Sequence, residues 1–85
     1  MPANGTTFSR ALRGLLALTG TKQGHLATEA RVHATTVSGW CSGAALPHVG
    51  RMAEIEQALR LTPKEKDLLR EAYDKTAAAA VGRGE

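Results

Sequence analysis

The sequence predicts an all-α fold, a single domain of five short helices, and three observations carry that prediction. Only three aromatic residues occur in 85, Phe8, Trp40 and Tyr73, so a core must be built mainly from Leu, Val, Ile and Ala, which suits helices packed on helices. Apolar residues recur at three- and four-residue steps in successive stretches, the period of a helix with one buried face. Between those stretches lie Gly20, Gly43 and the pair Thr62-Pro63, which are stop and start signals. With 42% hydrophobic residues, a chain of this length can bury one modest core and no second one.

The elements follow in order. Residues 1–6 are rich in Gly, Pro, Asn and Thr and lack periodicity, so a flexible start is expected. The first helix, about 7–19, turns Phe8, Leu12, Leu15 and Leu16 inward, with Gly20 as its stop. Thr21 is positioned to cap a second, short helix over about 22–30, in which Leu26, Ala27 and Ala30 face the core. A third helix, about 34–42, places Val37 and Trp40 on one face with Cys41 beside them, and Gly43 ends it. The fourth, about 48–60, carries the stripe Val49, Met52, Ile55 and Leu59. Thr62-Pro63-Lys64-Glu65 is a full start signal: a threonine cap, proline at the first helical position, and glutamate three residues after the cap. The fifth helix is expected over about 63–76, with Leu68, Leu69, Ala72 and Tyr73 inward. Residues 77–85, AAAAVGRGE, read as a fraying end and a loose tail.

The net charge is +3, and its distribution is more informative than its size. Residues 1–53 set five cations, Arg10, Arg13, Lys22, Arg31 and Arg51, against Glu29 alone, whereas residues 54–85 hold six basic and seven acidic residues. The positive field belongs to the first half, as expected of a surface that meets a polyanion. No apolar run is long enough to cross a membrane and no signal peptide is evident, so a cytoplasmic location and no membrane partner are expected. The single cysteine, Cys41, lacks the histidine spacing of a zinc site, and its simplest role is that of a small core hydrophobe. No metal, cofactor or nucleotide-binding glycine loop is expected. Ser38, His33 and Glu29 supply the residue types of a hydrolytic triad but no oxyanion donor, so the chain does not read as an enzyme. Seven arginines against four lysines suit a GC-rich bacterial genome.

Two short helices joined by a tight turn, the second anchored by Val37 and Trp40, fit a helix-turn-helix in which one helix braces another across a groove. QGHLATEARVHATTVSGWCSG, Gln23 to Gly43, followed by Leu46-Pro47 and a helix ending ALRLT, resembles the Cro/C1-type (XRE) helix-turn-helix family over about residues 8–75. The resemblance implies a compact five-helix bundle of the lambda-repressor-like DNA-binding type. It also implies a regulator of transcription, a repressor, which reads double-stranded DNA in the major groove with the helix at about 34–42, commonly as a dimer on a pseudo-palindrome.

By the same resemblance, Gln23 and Ser42 meet phosphates, Ala27 packs against the third helix, and base edges are read from Ala34, Thr35, Thr36 and Gly39. Lys22 and His33 join the phosphate set by position and charge. Arg10, Arg13, His25, Arg31 and Arg51 are further candidate DNA contacts, with solvated surface charge as the plain alternative for each.

Two departures from the family pattern matter. The turn carries Arg31 where the family usually has glycine, a position that tends towards the left-handed backbone region and costs a non-glycine residue on the order of 1 kcal/mol. The expected readers are all small and lack the bidentate groups best suited to base edges. Readout is therefore expected from methyl contacts, threonine hydroxyls, close approach at Gly39 and DNA shape, with affinity coming from phosphates. The alternative is a protein-interaction module, an adaptor or antitoxin-like partner, that keeps the fold with weak or no base reading and binds a partner through the small-residue face of the third helix. Eighty-five residues leave no room for a separate sensor domain: if the chain is complete, control is expected through concentration, a protein partner or self-association, and if AAAAVGRGE is the stump of a linker, a sensor is expected beyond it.

Overall fold

Residues 7–83 are described by the computed structural model, with residues 80–83 described in their backbone only. The expected flexible start, residues 1–6, lies outside the described residues. Five α-helices and one 3-10 turn, with no strand among the described residues, account for the architecture: α1 (Thr7–Thr19), α2 (Gln23–Ala30), α3 (Ala34–Ser42), a 3-10 turn (Val49–Arg51), α4 (Met52–Leu59) and α5 (Pro63–Arg83).

The local signals explain most of these boundaries. Gly20 takes φ +70° and Thr21 N–H donates to the Leu16 carbonyl at 2.9 Å, closing α1. Gly43, at φ 89°, donates to the Gly39 carbonyl and closes α3. At the start of α5 the capping box forms in both directions: Glu65 N–H donates to Thr62 Oγ1 at 3.2 Å, and Thr62 N–H donates to Glu65 Oε1 at 2.9 Å. Each is a contact within a few residues, which is why the sequence displays it.

Elsewhere the structure departs from the periodicity. Thr21 does not cap α2. Its hydroxyl pairs with that of Thr19 at 2.9 Å, and Lys22 occupies the cap position without a side-chain cap bond. The helix expected over 48–60 begins as a 3-10 turn, with His48 Nδ1 accepting from Gly50 N–H at 3.1 Å. A 3-10 turn advances about 120° per residue instead of about 100°, so Val49 leaves the apolar stripe and stands 65% exposed. Leu68 is likewise 57% exposed, because the buried side of α5 is set by Leu69 and Ala72. Finally, α5 continues to Arg83 instead of fraying after 76. Four consecutive alanines have the highest helix propensity, and no breaker intervenes before Gly82.

The core gathers Phe8, Leu12, Leu26, Val37, Ile55 and Leu69 without measurable exposure, and α1 lies at its centre, packed on α3, α4 and α5. Phe8 joins the first and last helices: its N–H donates to Thr76 Oγ1 at 2.9 Å, and its ring meets that of Tyr73 edge-on at 5.7 Å. The Tyr73 hydroxyl then donates to the Pro47 carbonyl at 2.7 Å, tying α5 to the loop after α3. Periodicity did not reveal the burial of Glu56. Only 3% exposed, it is gripped by Arg70 through Nε at 2.6 Å and Nη2 at 2.9 Å. A carboxylate in that position is tolerable because the bidentate guanidinium replaces its lost water.

Candidate nucleic-acid interface

The candidate site is built on α2, α3 and the turn between them. α2 buries Leu26, Ala27 and Ala30 and packs on α3 and α4. Its last carbonyls are closed by a left-handed residue: Arg31 sits at φ 60°, ψ 44°, with Arg31 N–H donating to Thr28 O and Val32 N–H to Ala27 O. The turn therefore keeps the left-handed geometry with an arginine in the place where glycine would be unstrained. Replacing Arg31 with glycine is expected to remove a left-handed cost of about 1 kcal/mol, partly offset by the greater freedom of glycine in the unfolded chain. The expected result is a small rise in melting temperature, read by circular dichroism; a fall would show that the arginine side chain itself stabilises the turn.

Beyond the turn, α3 presents two distinct faces. Val37, Trp40 and Cys41 are buried against the rest of the molecule. Ala34, Thr35, Thr36 and Ser38 are exposed on the other side, with Gly39 half-buried between the two faces. Ser38, weighed from the sequence only as a hydrolytic residue type and not as a DNA contact, shares the outward face with Ala34 and Thr35 at helical spacing. No described side-chain hydrogen bond occupies either of the threonines, so their hydroxyls and methyls face solvent.

Gly39 has a double role. Its carbonyl accepts from Gly43 N–H at 3.2 Å, Ala45 N–H at 3.1 Å and the Ser42 hydroxyl at 3.2 Å, which organises the end of the helix. A methyl group at this position would nevertheless fit: an added Cβ would find Ala45 Cβ at 3.6 Å as its neighbour, an ordinary contact. The fold itself gives no reason for the missing side chain.

The charged and polar candidates divide by location. Lys22 and Gln23 are exposed at the start of α2, and His33 is exposed at the start of α3 as its cap residue, without a side-chain cap bond. Between these two groups lie α2, eight residues and about 12 Å long, and the turn that follows it. Ser42 is exposed but locally engaged, bonding the Gly39 carbonyl and accepting from Ala44 N–H at 3.3 Å. Arg10, His25 and Arg31 are exposed. Arg13 is exposed as well and lies near enough to Cys41 to act on it electrostatically.

Arg51 is engaged within the fold. Its Nη1 donates to Glu54 Oε1 at 2.8 Å and reaches the Ala30 carbonyl at 3.4 Å. It thereby clamps the last residue of α2, directly before the left-handed turn, to the start of α4. Such a contact joins positions 21 residues apart and leaves no trace in the local pattern.

Burial pushes the Cys41 thiol above its ordinary value, while Arg13 pulls the other way. A raised value in the folded chain means that any stability linked to this group is present below the ordinary 9.0 and is lost as the pH climbs past it. The thiol is accordingly expected to resist a disulfide reagent at neutral pH and to react at once after denaturation. Rapid labelling of the native protein would show that α3 opens from the core.

Among the described residues no group of three or more His, Cys, Asp or Glu side chains is placed to hold a metal ion, and no helix is long and apolar enough to cross a membrane. No family model matches the chain, and neither a curated protein nor a solved structure matches it.

Proposed function

We propose that this chain is a sequence-specific, double-stranded-DNA-binding regulator of transcription, acting as a repressor of the Cro/C1 (XRE) kind, with α2 and α3 as its helix-turn-helix. One observation carries the reading. α3 buries Val37, Trp40 and Cys41 and turns outward a small, polar face of Ala34, Thr35, Thr36 and Ser38, just after a left-handed turn. A helix with this cross-section can enter a major groove about 12 Å wide and lie close to its floor. Lys22, Gln23 and the amide groups at the start of α2 then meet one phosphate backbone, while His33 and Arg31 meet phosphates nearer the turn.

In this account the phosphate contacts position the domain and the small face of α3 reads the sequence, through methyl-to-methyl contact with thymine and single hydroxyl bonds. Binding is expected as a dimer on a pseudo-palindromic site, which doubles a modest half-site contact. Selection of bound duplexes from a random pool tests this. A recovered motif with two related half-sites about one helical turn apart supports the reading; recovery of unselected sequence removes the base-reading claim.

Substitutions separate the two classes of contact. Thr35→Ala and Thr36→Ala are expected to relax sequence preference, costing about 1 kcal/mol on the preferred site and little on others. Lys22→Ala and Gln23→Ala should weaken all duplexes alike. Unchanged preference in the threonine variants, measured by competition between the selected site and mixed sequence, would show that the readers lie elsewhere.

A further inference from the structure

A second surface lies away from α3. Along the seam between α4 and α5 two adjoining hollows, of about 550 and 280 Å³, share Ala53 and Arg70 as a common wall. The larger is rimmed by Arg60, Lys66 and Arg70. Arg70 is already neutralised by Glu56, whose carboxylate takes its Nε and Nη2. Arg60 and Lys66 form no ion pair with a described residue, so this end of the cleft keeps their positive charge. The smaller hollow is walled by Val49, Met52 and Tyr73 and ends at Asp74. Its Tyr73 wall is rigid, held by the Phe8 ring and by the bond to Pro47. On its rim stands Val49, 65% exposed after the 3-10 turn swings it out of the core stripe.

We propose that this cleft docks an acidic segment of a partner protein that carries an aliphatic or aromatic anchor. Carboxylates of the segment lie at the Arg60 and Lys66 end, and the anchor covers Val49 against Met52 and the Tyr73 ring. Charge complementarity selects this occupant, since two uncompensated cations stand at one end of an apolar trough. A nucleic-acid backbone suits it poorly, because it carries no apolar side chain to cover the Val49, Met52 and Tyr73 wall and would bring a phosphate, where the segment brings its anchor, towards Asp74. The cleft belongs to α4 and α5, whereas α3 packs on α1 and α2, so a partner can be held while α3 is engaged. The inference goes beyond the DNA-binding reading and does not depend on it.

Random peptides displayed on phage and selected against the whole chain provide the test, followed by titration of the enriched peptides into isotope-labelled protein. Enriched sequences are expected to combine carboxylates with Leu, Phe or Trp and to shift the amide signals of Val49, Ala53, Arg60 and Lys66. The double variant Arg60→Glu, Lys66→Glu and the single variant Val49→Asp should each weaken binding about tenfold or more. Both change exposed side chains, so melting temperature and duplex affinity should stay at wild-type values. The proposal is overturned by enrichment of basic or uncharged peptides or of none, or by binding that survives these substitutions. Displacement of the peptide by duplex DNA would equally overturn it, as would concentration-dependent shifts at the cleft without peptide, which would mark a second copy as its occupant.

Discussion

Trp40→Ala is expected to remove about 3–5 kcal/mol of stability, the usual loss for a large aromatic side chain taken from a core. Trp40 is 3% exposed and stands behind α3 in the same cluster as Leu12, Leu26 and Val37. A domain of this size has a total stability on the order of 5–15 kcal/mol, so a large fraction of it is at stake. The melting temperature should drop by roughly 15–30 °C. Trp40→Phe should recover most of that loss, because it keeps an aromatic filler in the same space. Circular dichroism melts of the two variants check this directly. A Trp40→Ala protein that melted like wild type but no longer bound duplex would instead make Trp40 a stacking surface for bases, and the inward face of α3 would be misassigned.

The second large effect concerns binding and leaves the fold alone. Gly39→Gln should leave the domain folded, since the position has room for a Cβ 3.6 Å from Ala45 Cβ. It should even gain roughly 0.5 kcal/mol from the better helix propensity of glutamine. Affinity for the selected duplex is expected to fall about 10- to 100-fold, corresponding to 1–3 kcal/mol of overpacking where the helix meets the floor of the groove. The contrast between a steady or raised melting temperature and a lost complex carries the information. Unaltered binding would mean that the side of α3 at Gly39 does not approach the DNA, and the readers would have to be sought towards Thr35 and Ser38.

These two residues also illustrate what a one-dimensional pattern can and cannot express. Trp40 was legible as a core anchor because its partner in phase, Val37, lies three positions away on the same helix. Gly20, Gly43 and the Thr62-Glu65 box were legible for the same reason, each being a contact within one turn of chain. Val49 was misplaced because its phase depends on whether the backbone there follows a 3-10 or an α path. The His48 ring decides that by capping Gly50. Leu68 was misplaced by one step of the wheel, which only the docking of α5 against α1, with Leu69 fully buried, resolves.

The pairs that join elements distant in sequence were invisible altogether. Arg51 to Ala30 and Arg70 to Glu56 join separate elements, and nothing in either neighbourhood announces the other. Arg31 is the intermediate case. Its left-handed conformation was expected from the family resemblance, which puts a glycine at this point of the turn, and the backbone angles are left-handed.

The central claim is that the outward face of α3 and the start of α2 form a surface for double-stranded DNA. Titration of a mixed-sequence duplex with the protein at 50 and 200 mM salt tests it most directly. Neutralising about four phosphates should give a log–log slope near −3.6, so affinity should fall roughly a hundredfold over that fourfold rise in salt. Absence of binding at the lower salt, or binding that ignores salt, would contradict the account.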